Sequence, residues 1–162
     1  MTTSPFLVDI NPRSEHAKDF TSSSIEVYEA SPQQRIMWIK AGVPARSAKI
    51  IMSKLTIGQG AVQRALNLSP ATLNKKAAKN ETLSIPDSER FVGFVKLIGQ
   101  LEMIVQESGD SDGFSAYEWM SRWLGEPVPA LGGAKPIDLM DTMEGQNLVS
   151  TTLAQIQSGA YA

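Results

Sequence analysis

The stretch from residue 123 to residue 162 carries helix-breaking residues at close intervals, and it limits the folds that this chain can adopt. Pro127, Pro129, Gly132 and Gly133 exclude a continuous helix, because proline lacks a backbone N–H donor and glycine leaves the backbone free. We therefore predict a compact turn over residues 127–133. Pro136 suits the first turn of a short helix after it.

A last helix is predicted after Thr142, whose side chain suits an N-cap. Five side chains recur there at helical spacing and predict one buried face: Leu148, Val149, Thr152, Leu153 and Ile156. Gly159 is expected to end this helix as the residue after its C-cap. The chain then continues as Ala160, Tyr161 and Ala162.

The body is predicted to be all-α, because strand-like alternation of useful length is missing after residue 30. Residues 1–30 are interpreted as a flexible N-terminal arm. Within the arm, Ile25, Val27 and Tyr28 alternate and could lie against the body in extended form. Ser31 and Pro32 then open a helix that ends at Gly42. Its inward stripe is predicted to be Ile36, Met37 and Ile39, with Trp38 to one side.

Two further amphipathic helices are predicted outside the central region. The first places four apolar side chains on one face: Ala48, Ile51, Met52 and Leu55. The second covers residues 114–124 and buries Trp119 and Trp123, which are one turn apart.

The longest helix is predicted over residues 85–106, with Ser84 as its N-cap, and it should join two domains. Gly93 and Gly99 lie inside it. An interior glycine costs about 1 kcal/mol relative to alanine, so we expect these two to allow close helix packing.

Two short helices with a tight turn between them are typical of a helix-turn-helix. Gly58 is the predicted N-cap of a helix over residues 59–66, and Asn67 and Leu68 form the turn. Ser69 and Pro70 then begin a second helix over residues 71–79. Leu73 and Ala77 should face the core. The remaining side chains form a polar and basic surface suited to a recognition helix in a major groove. We single out six candidate DNA-binding residues: Ser69, Thr72, Asn74, Lys75, Lys76 and Lys79. A solvated helix of an ordinary bundle would show a similar surface.

Charge is unevenly distributed along the chain, although the net charge is only −2. Residues 31–90 carry ten basic and three acidic residues, whereas residues 91–162 carry three basic and nine acidic residues. Residues 1–30 are also acidic, with two basic and five acidic residues. A basic middle between acidic flanks indicates an anionic partner for the middle alone, or a solvated helical face.

Several function classes do not fit this composition. The chain has no cysteine and one histidine, His16, so a thiolate site, a two-histidine metal motif and a histidine-based triad cannot be assembled. A phosphate-cradling glycine loop is also missing. We therefore expect no enzyme activity, no cofactor and no metal. No apolar run approaches the ~20 residues of a membrane helix, and the N-terminus lacks a signal pattern. A cytoplasmic protein without a membrane partner is expected.

The C-terminal stretch resembles the toxin-binding domain of the Xre/MbcA/ParS antitoxin family. The family pattern has Trp-Leu, two spaced prolines, Ala-Leu-Gly-Gly, a Pro-hydrophobic-Asp-Leu segment, Thr-x-x-Gly and a terminal Gly-hydrophobic-aromatic-Ala. The matching residues are Trp123, Leu124, Pro127, Pro129–Gly133, Pro136–Met140, Thr142, Gly145 and Gly159–Ala162.

Residues 58–91 resemble the Xre-type helix-turn-helix that precedes this domain in the family. The family commonly has an arginine pair where this chain has Lys75 and Lys76, which makes phosphate contact more fitting there than bidentate base reading. It usually has glycine in the turn where this chain has Asn67. Asparagine tolerates a positive φ, so the turn should survive.

The resemblance covers residues 31–162 and implies an Xre-like DNA-binding domain over 31–107 and a toxin-binding domain over 108–162, which follow the arm over 1–30. It implies an antitoxin that binds a RES-domain, NAD-consuming toxin and blocks its active site with the C-terminal end. The implied toxin-binding residues are Gly159, Ala160, Tyr161 and Ala162. It also implies a homodimer that represses its own operon on operator DNA, and so associates with the nucleoid. The alternative is a stand-alone transcriptional regulator whose C-terminal domain only dimerises.

Overall fold

The computed structural model describes residues 19–109 and 111–159, and within these ranges the chain folds as helices without strands. This confirms the all-α prediction. The helices are α1 (Ser24–Glu29), α2 (Pro32–Ala41), α3 (Ala45–Ser53), α4 (Gln59–Ala65), α5 (Pro70–Ala78), α6 (Ile85–Ser108), α7 (Ala116–Leu124) and α8 (Met143–Gln157). Two short 3₁₀ helices, Pro129–Leu131 and Pro136–Leu139, lie between α7 and α8.

The long helix α6 is the central element, because α1, α2, α7 and α8 all pack against it. Phe91, Phe94 and Ile98 of α6 are almost completely buried. They belong to one hydrophobic cluster that extends from Val27 near the start of the described chain to Leu153 in α8. Residues 31–107 and 111–159 therefore share a core.

Side-chain caps define where most of these helices begin. Six serine or threonine hydroxyls accept a hydrogen bond from a backbone N–H three residues ahead: Ser23, Ser31, Ser69, Ser84, Ser115 and Thr142. Each such cap contributes about 1 kcal/mol to the stability of its helix. The predicted caps at Ser31, Ser69, Ser84 and Thr142 are confirmed.

The interior glycines of α6 lie where neighbouring helices approach most closely. A Cβ atom on Gly99 would overlap the carbonyl oxygen of Ser24 and come within 2.7 Å of the Cβ of Tyr28, both in α1. A Cβ atom on Gly93 would overlap the side-chain amide of Gln146 in α8. The prediction that these glycines allow close helix packing is confirmed.

The segment before α2 differs from its sequence interpretation. Residues 24–29 form helix α1 rather than an extended stretch, and Val27 is completely buried. Period-two alternation over five residues is a weak signal, and the contact with α6 decides the conformation. Thus the described end of the predicted flexible arm is folded, while residues 1–18 lie outside the described residues.

Two helices bury only part of the face that their patterns predicted, although Met37 in α2 is buried as expected. In α2, Trp38 is only 5% exposed whereas Ile36 is 38% exposed. Phe20 packs edge-on against the Trp38 ring with centroids 5.6 Å apart, which draws the indole inward. In α8, Leu148 is exposed by 49% and Ile156 by 41%, while Val149, Thr152 and Leu153 are buried.

We expect Gly99→Ala to lower the free energy of unfolding by about 1–3 kcal/mol, because the new methyl group meets backbone atoms of α1 that cannot move aside cheaply. Urea denaturation followed by circular dichroism measures this loss.

Gly60→Ala in α4 is the matched control, since its Cβ would meet only the flexible Arg64 guanidinium at 3.3 Å. That substitution should leave stability unchanged or raise it by up to about 1 kcal/mol. Equal stability changes for the two variants would contradict the close packing of α1 on α6.

Candidate functional site

Helices α4 and α5 are joined by a turn that depends on a left-handed residue. Asn67 has a φ of +53°, which L-residues other than asparagine and aspartate rarely adopt. The N–H of Leu68 donates to the carbonyl of Gln63 at 2.8 Å, and the Leu68 side chain is buried below the turn. The expectation that asparagine would preserve this turn is confirmed.

Arg90 of α6 fastens the same turn from outside. Its Nε donates to the carbonyl of Leu66 at 2.7 Å, and its Nη2 donates to the carbonyl of Asn67 at 3.4 Å. Asp87 pairs with this guanidinium one turn earlier in α6. Sequence reasoning missed this positioning role, because carbonyl acceptors carry no side-chain signal.

Helix α5 packs against α3, and its residues Leu73 and Ala77 are buried, as predicted. Arg46 of α3 closes the end of α5 by donating from Nε to the carbonyl of Ala77 at 2.8 Å. The six candidate DNA-binding residues lie outside this contact: Ser69, Thr72, Asn74, Lys75 and Lys79 are exposed, and Lys76 is half-buried. The structure therefore brings them together on and beside one short helix, on the surface that does not pack against α3.

Residues 127–134 form the compact turn that the proline and glycine spacing predicted. The N–H of Val128 donates to the carbonyl of Ala134 at 3.1 Å, and the N–H of Gly133 donates back to the carbonyl of Val128 at 3.1 Å. Gly132 and Gly133 have φ values of +66° and +85°, which explains the need for glycine. Beside it, Trp119 and Trp123 stack with centroids 5.4 Å apart, and Trp123 is buried.

Residues 31–107 and residues 111–159 also contact each other at places outside α6. The Oγ of Ser121 in α7 accepts a hydrogen bond from the N–H of Thr56 at 3.0 Å. The ammonium of Lys54 lies 5.4 Å from the centroid of the Tyr117 ring. The 3₁₀ helix Pro136–Leu139 also packs on α4.

Gly159 ends α8 with a φ of +71° and is exposed, which confirms its predicted position after the C-cap. The other candidate toxin-binding residues, Ala160, Tyr161 and Ala162, lie outside the described residues. Across residues 19–109 and 111–159, no group of three or more potential metal ligands comes together. In the same ranges, no helix is both long and apolar enough to cross a bilayer.

The fold and the two surfaces define a class of protein, in which a helix-turn-helix unit is joined through one long helix to a small helical domain. Residues 35–96 match the antitoxin Xre-like helix-turn-helix domain. Residues 101–159 match the antitoxin Xre/MbcA/ParS C-terminal toxin-binding domain.

The chain is also similar to a Prs ADP-ribosylating antitoxin from Sphingobium sp. (strain YBL2). The two are 58% identical over 136 residues, which cover 84% of this chain and 86% of that protein. The chain therefore belongs to the Xre/MbcA/ParS antitoxin family, as its sequence motifs indicated. It is an antitoxin of a toxin-antitoxin system with a helix-turn-helix domain.

The left-handed turn generates a stability prediction. Asn67→Val should lower the free energy of unfolding by about 1–2 kcal/mol, because a β-branched residue at positive φ brings its Cβ against the following carbonyl. Asn67→Gly should be close to neutral, since glycine adopts this conformation freely. Thermal melts of the three proteins test this, and a valine variant as stable as the glycine variant would contradict it.

Proposed function

We propose that this antitoxin neutralises a RES-domain toxin that consumes NAD, and that it also represses its own operon as a DNA-bound dimer. The name of the Sphingobium relative joins the words ADP-ribosylating and antitoxin. ADP-ribosylation consumes NAD, so we attribute this chemistry to the toxin of the pair. The chain itself acts by binding, because its single histidine and lack of cysteine leave few groups for nucleophilic catalysis.

The observation that carries the DNA part of the proposal is the exposed, basic face of α5. Thr72 and Asn74 are exposed in the N-terminal half of α5, and short polar side chains at that end of a recognition helix suit contact with base edges. Lys75, Lys76 and Lys79 follow toward its C-terminal end and suit phosphate contact. One short helix buries too little surface for specific binding, so we propose a dimer on a two-fold operator.

Replacing both Lys75 and Lys76 by alanine should weaken binding to operator and non-operator DNA alike. Each phosphate contact contributes roughly one unit to the slope of log K against log salt, so the slope should become less steep by one to two units. Fluorescence anisotropy over a salt series measures both quantities.

Lys135→Ala is the matched control, because Lys135 is an exposed lysine in the other domain and should leave the slope unchanged. A slope unaltered by the double substitution in α5 would remove these lysines from the interface. Thr72→Ala and Asn74→Ala should instead reduce the preference for operator over other sequences.

The toxin part of the proposal rests on the match of residues 101–159 to a toxin-binding domain and on the end of α8 at Gly159. We propose that residues 159–162 block the active site of the toxin. The Tyr161 ring can stack in a nucleotide-shaped pocket, where a buried aromatic anchor is typically worth 2 kcal/mol or more.

Truncation after Ser158 should leave folding and operator binding close to those of the full chain, because Gly159 is exposed and contributes nothing to the core. Inhibition of the toxin should fall sharply. Co-expression of the toxin with each antitoxin measures protection, and a thermal melt and a gel shift check the truncated protein.

Tyr161→Ala in the full-length chain is the companion variant, since it removes only the proposed anchor. A well-folded truncated chain that still protects cells fully would disprove active-site blocking by the tail. Neutralisation would then have to come from another surface, such as the turn over residues 127–133.

A further inference from the structure

A groove of about 230 Å³ runs between α2, α6 and α8. Both matched domains therefore contribute to its walls. Helix α2 and the first half of α6 belong to the helix-turn-helix match, and α8 belongs to the toxin-binding match. Its lining includes Arg35, Ile36, Val92, Lys96, Met143 and Gln146. Helix α5 contributes nothing to it, so the groove is separate from the proposed DNA contacts.

One part of the groove is apolar. Val92 of α6 lines it and is buried, and Met143 at the α8 side is half-buried. Ile36 leaves 38% of its surface exposed at the α2 side, although its helix has a buried face elsewhere. An apolar side chain of a partner would find contacts on both sides here.

Most polar groups around the groove already have partners. The Nε2 of Gln100 donates to the carbonyl of Ser150 at 3.0 Å, and the Oγ of Ser150 donates to the Oε1 of Gln100 at 2.7 Å. The Nε2 of Gln146 donates to the carbonyls of Arg90 and Met140, both at 2.9 Å. These groups therefore need no ligand.

Arg35 is also committed, because its Nη1 lies within hydrogen-bond distance of three carbonyls at the end of α1. The distances are 3.2 Å to Val27, 3.1 Å to Tyr28 and 2.5 Å to Ala30. Its guanidinium thus holds α1 in place and fixes a positive charge at the groove.

Lys96 differs from these residues. It is half-buried in the groove, and among the described residues no acceptor or carboxylate pairs with its ammonium. Burial lowers the pKa of Lys96, and the charge of Arg35 lowers it further. Glu89 also lines the groove but forms no ion pair with Lys96. The groove therefore combines apolar walls with an uncompensated positive charge.

We propose that this groove receives a segment of the toxin in which a carboxylate lies next to an apolar side chain. The carboxylate pairs with Lys96, and the apolar side chain packs between Ile36 and Met143. The charge of the groove calls for an anion, and its α8 wall belongs to the matched toxin-binding domain. This inference rests on the proposed toxin partner. It gives the antitoxin a second toxin-binding surface in addition to residues 159–162.

Lys96→Met is the most direct test, because it keeps the apolar stem and removes only the charge. We expect affinity for the purified RES-domain toxin to fall at least tenfold by calorimetry, while the melting temperature of the free antitoxin stays equal or rises. Ile36→Ser should reduce affinity several-fold, and Lys96→Arg should restore binding to within about threefold of the wild type.

The chain offers matched controls for both changes. Lys40 is an exposed lysine of α2 outside the groove, and Ile50 is a 57% exposed isoleucine of α3. Lys40→Met and Ile50→Ser should bind the toxin as tightly as the wild type. Carbodiimide cross-linking of the complex with mass spectrometry should then join Lys96 to a toxin carboxylate.

Two results would contradict toxin binding in the groove without contradicting the proposed function. One is wild-type toxin affinity in both Lys96→Met and Ile36→Ser. The other is a cross-link from Lys96 to a carboxylate of the antitoxin itself, in the same chain or in a second copy. A wild-type antitoxin that fails to bind the toxin would contradict the proposed function and this inference together.

Discussion

The rest of the structure depends on the close approach of α6 to the helices on either side of it. Helix α1 can touch the α6 backbone because residue 99 has no side chain, and Gln146 of α8 can enter because residue 93 has none. At these short separations, close van der Waals contacts leave no room for a larger side chain and so constrain how the neighbouring helices pack on α6. The turn between α4 and α5 is then placed by Arg90, one turn before Gly93 on the same helix.

Local signals in the sequence predicted the architecture well, whereas burial that arises from distant contacts was harder to foresee. Caps such as Ser69, the left-handed Asn67 and the glycine pair after Pro129 act within a few residues, so their spacing reveals them. The burial of Trp38 involves its ring contact with Phe20, and the helical state of residues 24–29 depends on packing against α6. Neither partner is visible in a short window of sequence.

The two candidate surfaces differ in the same respect, because the α5 surface follows from local sequence and the groove depends on distant contacts. The exposed residues of α5 lie within eleven positions of one another and follow from helical periodicity around Leu73 and Ala77. The groove draws its lining from residues 32–39, 89–100 and 143–150, which only the folded chain brings together. Arg90 was missed for a further reason: its guanidinium reaches the turn while its own carbonyl accepts from Gln146, and both contacts involve backbone groups.

The two matched domains meet between residues 96 and 101, in the middle of α6 rather than in a linker. Leu97 and Ile98 at this junction are buried, and the helix on either side belongs to one continuous core. Cutting the chain there would leave each half with a broken helix and an open apolar face. The two domains are thus separate units of homology that share one helix and one core, so we expect them to unfold as a single cooperative unit and to resist exchange between relatives.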